Sequence, residues 1–264
     1  MINVPIAKTF GWLGANGTET EPPVTRNAKE VFLEAGESRT EILESDSEGQ
    51  DFSASVAENA VLRLIQVTTG DGRRISRIHV RCGKNARFEW YRVILGGTEI
   101  FDQCTAELEG DSSFFQTEIG YLLKGQMNYD ANVEAIHLGR KTGSRIHASG
   151  VMGGNSRKIL RGTIDLRKGC KGAEGNEMEE VLLLNPGVTN RSIPVILCAE
   201  EDVVGNHGAT IGQLDERLSF YIQTRGLNAR QVEKMMARAR IETVIRKIPD
   251  EHIRCRLLKM EELN

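Results

Sequence analysis

From about Asp51 onward, apolar and polar residues alternate over short runs rich in Val, Ile, Phe and Thr, separated by Gly, Asn and Asp. Period-2 alternation bounded by turn residues marks strands with one face buried. Three phrases repeat one design: AENAVLRLIQV, GKNARFEWYRV and EGDSSFFQTEI, with Asn59, Asn85 and Asp111 at the matching turn position, 26 residues apart. The phrases ANVEAIHLG, SRIHASGVM, SRKILRGTIDL and SIPVILCAEEDVV continue it with changed gaps. A fixed spacing of this size suggests stacked units, none able to bury its apolar face alone. The pattern predicts a mainly β chain wound as a solenoid of strands, a parallel β-helix, with a sandwich as the alternative that alternation leaves open.

The ends read differently. Residues 1–50 combine the Gly/Thr/Pro-containing GANGTETEPPVT with the acidic EAGESRTEILESDSEGQD, and read as a partly irregular arm; AKEVFLEAGE suits either a short helix or a strand. After Phe220–Tyr221 the spacing becomes helical, with Val232, Met235, Met236 and Ala239 on one face and Ile241, Val244, Ile245 and Ile248 on a second. Asn228 suits an N-cap, and Pro249–Asp250 breaks the chain before a last helix, EHIRCRLLKMEEL. Three parts are expected: an arm over 1–50, a β-helical core over 51–222 and a helical segment over 223–264.

Charge refines this picture. The formal net charge of −3 lacks the basic excess of a phosphate-binding surface, so nucleic acid is not expected as a partner. Between Arg225 and Lys259, however, ten Lys/Arg stand against four Asp/Glu. The basic residues Arg225, Arg230, Lys234 and Arg238 form either a solvated face or a docking surface for an acidic partner. No apolar run approaches the ~18 residues of a membrane helix, and MINVPIAKTFGWLG lacks the features of a secretory signal, so a cytoplasmic protein is expected. The five cysteines, Cys82, Cys104, Cys170, Cys198 and Cys255, are widely spaced, form no CxxC pair and are expected reduced.

Familiar catalytic signatures fail residue by residue. HLGRKTGSR does not satisfy the phosphate-loop pattern, since Lys141 precedes its second glycine. Ser149 follows Ala148 and lacks the first glycine of a nucleophile elbow. Among the histidines, His79 and His252 carry no distinguishing context, and His137 and His147 lie in the alternating region. His207 stands apart in DVVGNHGATIGQL, a glycine-flanked imidazole leaving a strand, and neutral imidazole is a good ligand for iron or zinc.

The stretch EEDVVGNHGATIGQLDERLSFYIQTRGLNARQVEKMM resembles the SufD-type motif DDV-x-CSHGAT-x-G-x-x-D-x-x-x-x-FY-x-x-SRG followed by a helix. HLGRKTGSRIHASGVMGGNSRKILRGTIDL is similar to an H-x-G-x-x-T-x-S segment with its RG-x-I strand, EEVLLLNPG to the LLL turn, and RCGKNARFEW to a SufB strand. The resemblance covers roughly residues 75–245 and is to the SufB/SufD family of iron–sulfur cluster assembly scaffolds. It implies a right-handed parallel β-helix with helical termini and no enzyme activity in the chain itself. It also implies a transient iron–sulfur cluster, a SufC-type ABC ATPase docked at the C-terminal helices, a second SufB/SufD-type subunit, and a sulfur donor protein. For a chain this short, a homodimer would take the place of the heterodimer.

Carried over by position, the resemblance makes His207 the first candidate ligand. Gly205 replaces a cysteine found two positions before that histidine in SufD, and Gly208 replaces a SufB glutamate. Alignment on the LLL turn sets Glu179 near the cluster cysteine of SufB, and Cys82 near the cysteine that accepts sulfur. Cys198, in the strand before His207, is either a buried small hydrophobe or a further ligand. Sulfur acceptance at Cys82 requires a lowered thiol pKa and access. Two other readings stay open: a structural adaptor for an ABC ATPase without cluster chemistry, and a β-helical polysaccharide-active enzyme, for which Glu200, Glu201 and Asp202 supply carboxylates but no distant acidic pair is evident.

Overall fold

The structure, a computed structural model, describes residues 26–44 and 48–263. Among the described residues, fourteen strands form two sheets. The first holds β1 (Arg26–Leu33), β3 (Gly49–Val56), β5 (Arg73–Cys82), β7 (Glu99–Leu108), β9 (Asn128–His137), β11 (Arg157–Leu166) and β13 (Thr189–Cys198). The second holds β2 (Ser38–Glu44), β4 (Val61–Thr68), β6 (Arg87–Ile94), β8 (Phe114–Leu123), β10 (Gly143–Met152), β12 (Glu174–Leu183) and β14 (Val204–Gln213). Each strand pairs in parallel with the strand two places along the chain, so each coil contributes one strand to each sheet. The result is a β-solenoid of about six turns.

The turns that join the first sheet to the second explain the repeated phrase. Asn59 and Asn85 have φ of 60° and 54°, a left-handed conformation that Asn tolerates better than most side chains. Each turn donates its N–H to the next coil: Asn59 to the Lys84 carbonyl at 2.9 Å, Asn85 to the Asp111 carbonyl at 2.9 Å. The Asn85 side-chain amide also donates to Asn59 Oδ1 at 3.1 Å. In the third phrase the left-handed residue is Ser112 (φ 60°), where the even spacing had pointed to Asp111. Val61 pairs with Arg87 but Arg87 pairs with Phe114, so the coil grows from 26 to 27 residues and the turn position slips by one.

The solenoid begins earlier than the expected boundary at Asp51. Residues of the partly irregular arm, including AKEVFLEAGE, for which a strand is one of two readings, form the first coil, β1 and β2, seated by Val31, Leu33 and Leu43, each 4% exposed. Few apolar residues suffice there because parallel pairing with β3 and β4 satisfies the backbone. Residues 1–25, including GANGTETEPPVT, lie outside the described residues.

Among the described residues, three helices follow: α1 (Glu216–Gln223), α2 (Ala229–Ile245) and α3 (Glu251–Leu263). The helical segment thus starts before residue 223, the expected boundary. Asn228 caps α2 in a reciprocal box with Gln231. The buried face of α2 is Val232, Ala237, Ile241, Val244 and Ile245, whereas Met235, expected on that face, is 41% exposed and Ala239 is also exposed. Ile241, Ile245, Ile248, Ile253 and Leu257 pack on Ile65, Val67, Tyr91 and Val93 of the second sheet's outer face. Full burial of each aliphatic side chain stabilises by ~1.5–3 kcal/mol. This covering makes β6 buried at nearly every position, which blurs its alternation.

Among the described residues, no helix is long and apolar enough to cross a membrane.

Candidate functional site at the open end of the solenoid

The last coil, β13 and β14, is the edge of both sheets. In the coil before it, the alternation of EGNEMEEVLL points Glu177 and Glu179 into the interior on the same face as Val181, so two carboxylates enter a nearly closed space. Glu179 is 2% exposed and pairs with the Nζ of Lys158, itself 0% exposed on β11. Lys158 also donates to the Tyr121 hydroxyl at 3.4 Å, and that hydroxyl donates to Glu179 Oε1 at 3.5 Å. Burial lowers the Lys158 ammonium to about 7, opposed by the charge of Glu177.

Glu177 was not singled out from the sequence, yet it is the buried carboxylate of this coil with an unsatisfied oxygen among the described residues. It is 6% exposed, and its Oε2 has no hydrogen-bond partner among the described residues. Burial raises its carboxyl to about 7, with Lys158 pulling the other way. It lies over Gly162, where an added Cβ would sit 2.2 Å from Glu177 Oε1, so the glycine of the RG-x-I strand makes room for the carboxylate. Its neighbour in the β12–β14 ladder is His207. The signal that could have found Glu177 is its i, i+2 relation to Glu179, because the two share a face.

His207 is exposed on the inward-facing row of the final strand, in register with Glu177, while Glu179 faces Ala209. Cys198 ends β13 in register with Leu166; it is exposed, and its thiol donates to the Glu200 carbonyl at 3.1 Å. Asn190 Oδ1 and Ser192 Oγ on β13 also lack hydrogen-bond partners among the described residues. His207, Glu177, Glu179 and Cys198 thus belong to the last two coils of one open end. Among the described residues, no three His, Cys, Asp or Glu side chains converge as a ready metal site.

Cys82 is elsewhere. It shares a ladder column with Leu108, His137, Leu166 and Cys198, four strand steps away, about 19 Å at ~4.8 Å per step. It is 0% exposed, and burial pushes its thiol up to about 12. The low pKa and access that sulfur acceptance requires are both missing in this conformation, because full burial among apolar side chains, with the Glu109 charge nearby, disfavours the thiolate. Cys104 and Cys170 are likewise buried with raised pKa values. His137 is buried between Thr142 and Ser144, and His147 lies under α2 against Glu118 at 2.5 Å.

Of the basic residues, Arg225 lies over the Tyr221 ring at 4.7 Å, Arg238 pairs with Glu242 at 2.7 Å, and Arg230 and Lys234 are exposed. Phe220 and Tyr221 on α1 are 69% and 54% exposed.

Residues 24–240 match the family described as SUF system FeS cluster assembly, SufBD core domain. The chain is 23% identical over 210 residues to the iron–sulfur cluster assembly protein SufD of Bacillus subtilis, covering 80% of this chain and 47% of that protein. It is 25% identical to the chloroplastic SufBD family protein ABCI8 of Arabidopsis thaliana (64% of this chain, 30% of that one). It is also 25% identical to SufB of Bacillus subtilis (68% and 39%). The chain therefore spans about half the length, or less, of these relatives. With a parallel solenoid, a helical segment and a match over most of its length, the chain belongs to the SufB/SufD family of iron–sulfur cluster assembly proteins.

Proposed function

We propose that this chain is a scaffold subunit for iron–sulfur cluster assembly, working as a symmetric pair with a SufC-type ABC ATPase. The carrying observation is the open end: His207 in register with Glu177, whose buried Oε2 has no hydrogen-bond partner among the described residues, between two sheet edges. Unpaired edges template pairing with another chain, and Leu197, Val204 and Ile211, each about 45% exposed, add apolar surface there. A second copy related by a two-fold axis would bring two sets of His207, Cys198 and Glu177 together. The cluster is the cargo of such a site: Cys198 supplies soft sulfur, His207 imidazole, and the glutamates harder, more labile ligands.

The ATPase would dock at α1 and α2, where Phe220 and Tyr221 supply apolar area and Arg225, Arg230, Lys234 and Arg238 positive charge. ATP hydrolysis would then belong to the partner, and sulfide would come from a donor protein. An adaptor role without cluster chemistry is favoured by one observation, the capture of Glu179 by Lys158.

Anaerobic co-purification with a SufC-type ATPase, followed by iron and sulfide analysis and absorption spectroscopy, separates the two. A scaffold acquires both elements, and His207→Ala diminishes them while leaving ATPase binding intact. Stoichiometric ATPase without iron in either variant would establish the adaptor instead.

A further inference from the structure

A groove of about 370 Å³ lies away from the open end, between the N-terminal half of α2 and the turns that leave the second sheet. Its floor is apolar: Leu95, Leu122, Leu184 and Ala237. Its rim carries Lys124, Arg230, Lys234 and Arg238 against one acid, Glu233. Ala237 opens the cavity, being the smallest residue on the buried face of α2. From the solenoid side, Asn185 clamps the Gly154 turn, accepting from its N–H at 2.6 Å and donating to its carbonyl at 2.7 Å.

We propose that this groove binds a small organic anion, a phosphate- or carboxylate-bearing head on an apolar body. Arg238 is held by Glu242, but Lys124, Arg230 and Lys234 have no ion pair among the described residues. Three uncommitted cations from two separate elements thus surround an apolar floor, in a chain whose net charge is −3. Concentrating positive charge on the rim of an apolar cleft costs self-repulsion that an anion relieves, while the floor rewards burial of the body. The volume falls within the ~300–1,000 Å³ range of small-molecule sites. A bare phosphate ion would leave the floor unused, and a neutral apolar molecule would leave the cations unpaired. Because the walls belong to α2 and to the solenoid, an occupant would also fix α2 against the coils.

This proposal goes beyond ATPase docking, because Lys124 lies on the solenoid and not on the helices. The test titrates the full chain with anilinonaphthalene sulfonate, a fluorescent anion on an apolar body, and then adds competitors. Expected is a saturable signal displaced by octyl phosphate but not by equal concentrations of inorganic phosphate or octanol. Affinity should fall by about tenfold or more in Lys124→Glu/Lys234→Glu. Ala237→Leu, which fills the cavity, should abolish the displaceable signal, with circular dichroism confirming its fold; the surface variant decides the matter if Ala237→Leu misfolds. Unchanged affinity in the charge-reversed variant, or equal displacement by octanol, would overturn the proposal. Displacement by the ATPase but not by octyl phosphate would also overturn it, assigning the groove to the protein partner. ATPase co-purification with Lys124→Glu, read separately, keeps failure of the docking reading distinct.

Discussion

Arg92 donates through Nε to Asp102 Oδ2 at 2.7 Å across the interior of the solenoid, and each side chain is only 1% exposed. Arg92 also donates to Thr68 Oγ1 at 2.8 Å, so strands of both sheets meet at one guanidinium. Removing one partner strands a buried charge. Arg92→Met is expected to cost about 3–5 kcal/mol, whereas Arg92→Met/Asp102→Leu should recover most of that loss. Urea unfolding of the two single variants and the double checks this; additive losses would refute the pairing.

His137 makes stability depend on acid. Its Nδ1 lies 2.8 Å from Thr142 Oγ1 and its Nε2 2.9 Å from Ser144 Oγ, and burial pushes its pKa down from 6.5 to about 4. Between these values the unfolded chain binds a proton that the folded chain excludes. The stabilisation is complete above the unfolded pKa and is lost as pH falls from 6.5 toward 4, by about 3 kcal/mol. Denaturation curves of the wild type and His137→Gln over that window should converge as the pH drops, since glutamine has no proton to gain.

Thiol accessibility gives a direct reading of burial. Cys198 and Cys255 are exposed while Cys82, Cys104 and Cys170 are buried. Native labelling with iodoacetamide followed by peptide mass spectrometry should modify Cys255 first and leave Cys82 and Cys104 untouched until denaturant is added. Fast native labelling of Cys82 would show that the coil opens enough for sulfur acceptance.

The open end should pair copies of the chain. Light scattering of the purified protein is expected to give the mass of a dimer, and Leu197→Glu/Ile211→Glu to shift it to monomer. In that variant Cys198 should label faster than in the wild type. A wild type that is monomeric at all concentrations would remove the symmetric scaffold.

Much of the fold was legible in sequence because a solenoid repeats its local physics. The 26-residue spacing of Asn59 and Asn85 marked the left-handed turns, and the alternation between them marked the strands. The Asn228 cap and the last helix, EHIRCRLLKMEEL, were equally local. His207 stood out for its glycine-flanked setting, and the structure sets it on the final strand beside Glu177.

Tertiary structure decided everything that depends on which face is inside and on what packs from afar. Alternation tells which residues share a face but not which face is the core when both are covered, as in β6 under α2 and α3. It could not show that Cys82 is sealed and its thiol pushed up to about 12, or that Lys158 captures Glu179 from another strand while Glu177 Oε2 is left without a hydrogen-bond partner among the described residues. The first coil escaped notice because parallel backbone pairing holds β1 and β2 with few apolar side chains. The sequence by itself determined the repeat, the turns and the helical tail, which are properties of neighbouring residues. Burial, ion pairing and the make-up of the open end came only from folding, because stacking the coils sets residues tens of positions apart a single strand spacing away.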